Sequence, residues 1–318
     1  MITVKNLYKT YQTPLRTGNF ITDTFNRRYK SHTAVQGISF SIGENELVGF
    51  IGPNGAGKTT TLKMLAGILF PTSGTIDILG FTPFDKETAF LKQIGFVMGQ
   101  KNQLIWDLPP TDTFSVNKEI YEIPEAEYRK RLGELTDMLN AATFLNQPVK
   151  TLSLGQRMKC ELLSSLLHAP KILFLDEPTI GLDIFAQSSI RKFIKEYQQE
   201  YRATIILTSH YMQDVQQLAD RVILLDAGSI IYDDTLEKLM QSQSQTKCVT
   251  ITMTGTNPDL PAIVRKFEHE YMYPQLRVYV PKKRLAEVLG ALVELDYLDV
   301  TVENEPIEDI IKKFYQQK

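Results

Sequence analysis

The sequence has few of the features that mark secreted or membrane-spanning proteins. Only two of its 318 residues are cysteines, and Cys160 and Cys248 lie far apart in unlike surroundings, so we expect reduced structural thiols in the cytosol. No apolar run approaches the roughly 18 residues of a membrane-spanning helix. The first residues, 1–5, predict a strand and lack a signal-peptide pattern. Any role at a membrane would therefore need a separate membrane protein.

The composition also lacks a strong excess of either charge. With 35 basic and 37 acidic residues the net charge is −2, which gives no reason to expect a nucleic-acid partner. The hydrophobic share of 43% and the charged share of 23% are ordinary for a soluble globular protein. The length allows two domains, each with its own core.

One local exception to this charge balance lies at residues 12–33. The stretch carries four basic side chains against one acidic side chain: Arg16, Arg27, Arg28 and Lys30 against Asp23. It is either a solvated loop or short helix, or a contact with anionic lipid headgroups or a membrane subunit.

The feature around which the chain is organised is a glycine-rich stretch between a strand and a helix. Glu46–Ile51 predicts a buried strand, and Thr61–Ala66 predicts the first turns of a helix. The stretch between them fits the phosphate-binding template G-x-x-x-x-G-K-[ST] and comprises Gly52, Pro53, Asn54, Gly55, Ala56, Gly57, Lys58, Thr59 and Thr60. Its glycines let backbone N–H groups point at an anion, and the helix start adds a positive dipole end.

The polar side chains of this stretch predict how a nucleotide would be held. We expect Lys58 to reach the β- and γ-phosphates, the Thr59 hydroxyl to ligate Mg²⁺, and Thr60 to donate to a phosphate oxygen. Asp176 follows a buried strand, where it can hold Mg²⁺ through water opposite Thr59. Glu177 would face elsewhere, toward an attacking water that it orients or deprotonates.

Two further polar residues also end predicted strands. Gln100 follows Ile94–Met98 closely and could ligate Mg²⁺ and sense the γ-phosphate. His210 follows Thr204–Leu207 and is a suitable donor to the γ-phosphate. Each has an ordinary alternative, a solvated glutamine and a structural histidine.

The order of predicted elements indicates an α/β fold. Strands alternating with helices predict a mostly parallel sheet that carries its reactive groups at the carboxyl ends of its strands. We expect a nucleotide-binding domain at residues 1–240, with a helical subdomain at about 101–168. A polar linker then leads to a small α/β domain at residues 247–318, ferredoxin-like in pattern and with a helix near Pro261–Tyr271.

A second motif carries a family resemblance. Leu152-Ser153-Leu154-Gly155-Gln156 resembles the signature Leu-Ser-Gly-Gly-Gln of ATP-binding cassette (ABC) proteins. The strand ending in Glu177, a D-loop at Gly181-Leu182-Asp183 and a switch histidine at His210 follow in the family's order. The resemblance implies a P-loop NTPase cassette in which two copies pack head to tail around two ATP molecules.

The resemblance also assigns residues to the two copies. Each nucleotide would contact one copy through Lys58, Thr59, Gln100, Asp176, Glu177 and His210, and the other copy through Ser153, Gly155 and Gln156. Asp183 would link the copies, and Tyr11 would stack on adenine. Leu154 replaces a signature glycine, so its side chain must point away from the phosphate.

Several features look similar to cassette subunits of ABC-2-type exporters, which pair with a separate transmembrane permease. That resemblance implies a location at the cytoplasmic face of the membrane and a docking groove near Gln100–Pro110, where Trp106 is either a docking or a packing residue. The alternative is a soluble cassette protein acting on ribosomes or DNA. The C-terminal domain would either bind a regulatory ligand or stabilise the dimer.

Overall fold

The chain folds into two compact units, Met1–Asp234 and Thr235–Lys318. The computed structural model describes residues 1–15, 28–99, 102–209, 211–242, 246–256 and 259–316. Each unit is described by itself below. The domain limits of 1–240 and 247–318 stay predictions.

The first unit contains a three-stranded antiparallel sheet with the order β2-β1-β4. It is formed by β1 (Ile2–Leu15), β2 (Arg28–Ile42) and β4 (Ser73–Ile78). The inner face of this sheet packs against the central strand β3 (Leu47–Ile51), and the rings of Phe40 and Phe50 meet edge to face at 5.5 Å.

The long β1–β2 hairpin corrects one expectation. The sequence predicted a loop or short helix at residues 12–33, but its described part is strand: Gln12 pairs with Ser31, and Thr13 pairs with Lys30. Both faces are exposed there, so the apolar–polar alternation that marks a half-buried strand is missing. Arg16 and Arg27 lie outside the described residues, and the lipid contact stays a prediction.

A six-stranded sheet with the order β5-β6-β7-β3-β8-β9 forms the centre of this unit. Its other strands are β5 (Ile94–Met98), β6 (Ile172–Asp176), β7 (Thr204–Thr208), β8 (Arg221–Asp226) and β9 (Ser229–Thr235). All pairings among β5, β6, β7, β3 and β8 are parallel, which confirms the predicted mostly parallel sheet.

Helices flank this sheet and fill the connection between β5 and β6. Helix α1 (Lys58–Leu65) follows β3, and a single turn α2 (Thr88–Leu91) precedes β5. The predicted helical subdomain contains α3 (Pro110–Ile120), α4 (Glu125–Leu139) and α5 (Leu154–Leu166). Helices α6 (Ile184–Tyr201) and α7 (Met212–Leu218) follow β6 and β7.

The second unit is a four-stranded antiparallel sheet with helices. After α8 (Leu236–Ser242) come β10 (Thr246–Met253), β11 (His269–Met272), β12 (Gln275–Pro281), α9 (Leu285–Leu292), β13 (Tyr297–Asn304) and α10 (Ile307–Gln316). The strand order is β11-β12-β10-β13. An antiparallel strand thus separates β10 from β11, and another separates β12 from β13, as in the split β-α-β pattern of ferredoxin-like folds.

One helix predicted in this unit is wrong. The segment Pro261–Tyr271 contains a 3₁₀ turn at Val264–Lys266 and the strand β11, which pairs with β12. Its apolar residues recur at a helix-like spacing, but Val264 alone is fully buried in the core of the unit. Strand pairing therefore outweighs the local pattern.

Candidate functional site

The phosphate-binding loop joins β3 to α1, as its sequence context predicted. Gly57 has φ +101°, and an added Cβ would lie 2.5 Å from the Ala34 carbonyl oxygen on β2. Gly52 is as tightly enclosed, since an added Cβ would lie 2.3 Å from the Leu225 carbonyl oxygen. Both positions therefore require glycine, one through backbone conformation and space and the other through space alone.

The side chain of Lys58 lies inside this loop. Its Nζ donates to the carbonyl oxygens of Gly52 at 2.6 Å and Pro53 at 3.1 Å, and the residue is 5% exposed. Burial lowers the pKa of Lys58, while the nearby carboxylates of Glu177 and Asp176 act to raise it. The ammonium group and two carboxylates are thus gathered at one end of the sheet.

Two hydroxyl groups converge on the Asp176 carboxylate. Asp176 Oδ1 accepts hydrogen bonds from Thr59 Oγ1 at 2.8 Å and from Thr208 Oγ1 at 2.7 Å. Asp176 ends β6 beside Thr208 at the end of the neighbouring parallel strand β7, so the strand register sets the second contact. The sequence predicted that Thr59 and Asp176 would face each other, whereas Thr208 had no recognisable signal.

The next residue, Glu177, leaves the strand in a left-handed conformation with φ +56°. Its N–H donates to the Thr208 carbonyl oxygen at 3.1 Å. Glu177 lines a cleft of about 230 Å³ together with residues of the phosphate-binding loop: Asn54, Gly55, Ala56, Gly57, Lys58, Thr59 and Thr60. Glu177 therefore shares one cleft with the phosphate-binding loop, and its role as the group that activates water stays a prediction.

The β1–β2 hairpin also contributes to the lining of the cleft. Tyr11 lines it, and its hydroxyl lies 3.4 Å from Thr60 Oγ1. His32, which pairs with Tyr11 across the hairpin, also lines the cleft, together with Ala34. The sequence had singled out Tyr11 but not His32, because the hairpin register was not recognised.

The described residues contain oxygen ligands that suit Mg²⁺ but no metal-binding cluster of three or more ionisable side chains. Within the described ranges, no group of three or more His, Cys, Asp or Glu side chains could hold a metal ion. Thr59 Oγ1 and Asp176 Oδ1 nevertheless present a hydroxyl and a carboxylate oxygen, which match the few protein ligands that Mg²⁺ takes beside phosphates.

Comparison with known proteins decides the family. The model of the ABC transporter family matches residues 35–180. The ABC transporter ATP-binding protein NatA of Bacillus subtilis (strain 168) is 34% identical over 219 residues, which cover 69% of this chain and 89% of NatA. The chain belongs to the ABC transporter ATP-binding proteins. It is therefore an ATPase subunit, as the signature motif indicated.

Further relatives and solved structures agree with this assignment. The bacitracin transport ATP-binding protein BcrA of Bacillus licheniformis is 27% identical, and the match covers 92% of this chain and 95% of BcrA. A dimeric ATP-binding cassette in a post-hydrolysis state, bound to ADP and Pi, superposes with a TM-score of 0.63 and 26% identity, covering 74% of this chain and 99% of that chain. The P-loop cassette fold of this ABC ATPase is thereby confirmed.

The signature residues of this ABC ATPase lie outside the cleft, at the start of α5. Ser153 caps the helix: its Oγ accepts from the Gln156 N–H at 3.2 Å, while its own N–H donates to Gln156 Oε1 at 2.9 Å. Leu154 packs toward the D-loop, since a Cβ added at Gly181 would lie 3.2 Å from Leu154 Cδ2.

The D-loop begins α6 beside this signature. Asp183 caps α6 by accepting from the Ala186 N–H at 2.9 Å. An added Cβ at Gly155 would lie 2.9 Å from Ala186 Cβ, so the two helix starts are in close contact. Ser153, Gly155, Gln156 and Asp183 thus form a separate group, which we call the signature face.

Two predicted residues, Gln100 and His210, lie outside the described residues, but Gly99, beside Gln100, is held against the backbone of Asp176 and Glu177. The N–H of Gly99 donates to the Asp176 carbonyl oxygen at 2.8 Å, and an added Cβ on Gly99 would lie 2.1 Å from the Glu177 carbonyl oxygen. The roles of Gln100 and His210 stay predictions.

A buried ion pair that the sequence did not indicate supports the same region. Asp214 on α7 is fully buried and pairs with Arg191 on α6 at 2.6 Å. The other Asp214 oxygen accepts from Thr179 Oγ1 and Ser209 Oγ, each at 2.5 Å. Thr179 comes two residues after Glu177, and Ser209 directly precedes His210. The one feature of the sequence that could have indicated this ion pair is the position of Asp214, four residues after the predicted switch histidine His210.

A separate groove of about 540 Å³ lies between the sheet and the helical subdomain. Its lining includes Ile68, Leu91, Phe96, Ile120, Tyr121 and His168. The rings of Tyr121 and His168 stack at 3.9 Å, and burial lowers the pKa of His168 to about 4, which keeps the imidazole neutral. Trp106 lies outside this lining, where it is 46% exposed with the Arg157 guanidinium 5.4 Å from its ring centroid.

Proposed function

We propose that this ATPase powers an ABC-2-type exporter as a head-to-tail dimer that closes on MgATP. The observation that carries the proposal is the separation of two half-sites within one chain. The cleft holds the phosphate-binding loop and Glu177, whereas Ser153, Gly155 and Asp183 lie outside it. A second copy would bring its signature face to the nucleotide in the first copy's cleft.

Within this dimer the described residues suit distinct tasks. Lys58 and the loop N–H groups bind phosphate, Tyr11 offers its ring to adenine, and Glu177 orients or deprotonates the attacking water. Thr59 and Asp176 would hold Mg²⁺ together with Gln100, and His210 would donate to the γ-phosphate. When bound, Mg²⁺ neutralises charge on the β- and γ-phosphates.

Two exposed apolar residues beside the signature face support a second copy as partner. Ile184 and Phe185 follow Asp183 directly and are 79% and 87% exposed. Burying each such side chain contributes about 1.5–3 kcal/mol, so an interface that covered them would be stabilised. Their place in the first turn of α6 makes them continuous with Asp183, the residue predicted to link the copies.

The membrane partner is proposed from the groove and from the relatives. In the described residues no helix is both long and apolar enough to cross a membrane. The groove instead has exposed apolar side chains at its mouth, Ile68 (53%) and Ile120 (64%), which suit a short amphipathic helix of a permease. The relatives include a bacitracin transport protein, a Nod factor export protein and a linearmycin resistance protein. We therefore favour export from the cytoplasmic face over a role on ribosomes or DNA.

The test uses Glu177→Gln in the full-length chain. The amide keeps the shape of the side chain but cannot deprotonate water, so ATP turnover should fall by at least about 100-fold, within the range for a general base. With MgATP the variant should elute as a dimer in size-exclusion chromatography, and without nucleotide as a monomer. Full turnover, or the absence of any ATP-dependent dimer, contradicts the proposal.

A further inference from the structure

A carboxylate is buried in the apolar face of the signature helix α5. Glu161 is 3% exposed, and the residues that follow it, Leu162 and Leu163, are fully buried. Burial raises the pKa of the Glu161 carboxyl to about 7. Burying a carboxylate in such surroundings costs free energy unless hydrogen bonds compensate for the lost hydration.

The hydrogen bonds of Glu161 lead to the segment that follows Gln100. Glu161 Oε1 accepts from the Gln103 N–H at 2.9 Å and is 3.4 Å from the Leu104 nitrogen. Its Oε2 is buried and has no hydrogen-bond partner among the described residues. The carboxylate therefore holds one short length of backbone rather than another side chain.

The side chain of Gln103 ties the same segment to the central sheet. Gln103 Nε2 donates to the Phe96 carbonyl oxygen on β5 at 2.7 Å. β5 lies beside β6 with Met98 next to Asp176, and the Gly99 N–H donates to the Asp176 carbonyl oxygen at 2.8 Å. A continuous set of hydrogen bonds thus runs from α5 to the strand β6, which ends at Asp176 directly before Glu177.

We propose that Glu161 is a positioning residue that fixes the signature helix against β5, so that Ser153 and Gly155 are correctly placed for the nucleotide of a second copy. Glu161 lies eight residues after Ser153 on one helix, roughly 12 Å along its axis. The helix is rigid over this length, so an anchor at Glu161 sets the position of its first turn. This inference rests on the proposed head-to-tail dimer.

Because Glu161 lies away from the cleft, its removal should affect turnover without affecting ATP binding by the same copy. Glu161 does not line the cleft, so each copy keeps its own phosphate-binding loop when the anchor is removed. Turnover, in contrast, needs the signature face to meet the partner's nucleotide. Misplacement by about 1 Å can cost about 100-fold in rate. Loss of the anchor should therefore lower kcat and leave KM nearly unchanged.

The test compares Glu161→Ala with Glu161→Gln in the full-length ATPase. Glu161→Ala should lower kcat by about 10- to 100-fold with KM changed by less than about 2-fold. Glu161→Gln keeps a carbonyl oxygen for the two N–H groups and should stay within about 3-fold of the parent kcat. A kcat for Glu161→Ala within about 3-fold of the parent overturns the proposal.

A matched variant separates positioning from general loss of stability. Leu163→Ala truncates a fully buried side chain on the same helix and removes none of the hydrogen bonds between Glu161 and residues 103 and 104. It should lower the melting temperature yet retain a kcat within about 3-fold of the parent. If it loses as much kcat as Glu161→Ala, the loss reflects a destabilised helix and the proposal is wrong.

The dimer assay distinguishes failure of this inference from failure of the proposed function. In the Glu177→Gln background at saturating MgATP, Glu161→Ala should raise the protein concentration needed for half-maximal dimer by at least about 10-fold. If Glu177→Gln alone forms no dimer, the proposed function fails. If Glu177→Gln dimerises and added Glu161→Ala changes nothing, only the role of Glu161 is refuted.

Discussion

Replacing Asp214 by alanine should unfold the ATP-binding unit at a markedly lower temperature. Both charged groups are shielded from bulk solvent, because Asp214 is fully buried and Arg191 is 5% exposed. Removing Asp214 strands the Arg191 guanidinium and leaves the Thr179 hydroxyl without its acceptor. Breaking one side of a buried ion pair costs about 3–5 kcal/mol.

This free energy converts into a measurable shift. For a unit of this size, about 1 kcal/mol lowers the melting temperature by about 2–4 °C. Asp214→Ala should therefore lower the first calorimetric transition by about 6–20 °C. Gln187 Oε1 accepts from Arg191 Nη2 at 2.9 Å, so the guanidinium keeps part of its hydrogen bonding in the variant. We therefore expect a decrease in melting temperature toward the lower end of this range.

A paired substitution tests whether the network also supports catalysis. Asp214→Leu with Arg191→Met removes both charges, and such replacements are often neutral or stabilising. The double variant should recover most of the melting temperature of the parent. It should still hydrolyse ATP at least about 10-fold more slowly, because Thr179 and Ser209 lose the acceptor that holds the chain beside Glu177.

Calorimetry and steady-state ATP hydrolysis measure the two effects on the same preparations. Reasoning from the buried pair fails if Asp214→Ala costs less than about 1 kcal/mol, a value typical of exposed ion pairs. The positioning argument fails if the double variant regains both the melting temperature and the full ATPase rate.

Two further predictions concern the groove and the buried carboxylate. Ile120→Asp puts a charge at the mouth of the groove and should reduce co-purification of the membrane partner at least about 10-fold, since a loss of about 1.4 kcal/mol in binding free energy is enough for that change. Val116→Asp, on the exposed part of the same helix that does not line the groove, should not reduce co-purification. Equal effects of the two variants would refute groove docking. The pKa of Glu161 is raised from 4.5 to about 7, so the folded state binds more protons and stability falls as pH rises through this window. Relative to Glu161→Gln, wild-type unfolding free energy should fall by about 2 kcal/mol between about pH 5.5 and 8.5; a flat difference in denaturant titrations would contradict this.

The local sequence was sufficient to predict the centre of the cleft, because the order and direction of the strands and helices determine where its residues lie. Gly57, Lys58 and Thr59 are consecutive residues between a strand and a helix, and Asp176 ends a buried apolar run. Parallel strands bring their carboxyl ends to one edge, so the contact between Thr59 and Asp176 follows from the order of elements.

The parts that were missed depend on pairing between distant segments. The β1–β2 hairpin has both faces exposed near Tyr11, so no apolar alternation announced it or placed His32 opposite. Glu161 gave no signal as an anchor, because the backbone N–H groups that donate to it lie almost sixty residues earlier in the chain. A local pattern cannot report which backbone N–H groups a buried carboxylate will meet.

The arrangement of α6 gives a physical reason for placing the signature face and the carboxylates in one cooperative unit. Asp183 caps the helix, Ala186 in its first turn lies against Gly155, and Arg191 lies two turns after Asp183, bound to Asp214. Asp214 in turn accepts from Thr179, which is covalently close to Glu177. A shift of the first turn of α6 would therefore strain a fully buried ion pair, whose disruption costs about 3–5 kcal/mol. Because of that cost, α6 and the Thr179 segment should move together as a rigid body, and the helix should not bend. Contact of a second copy with the signature face should therefore change the position of Glu177 as well.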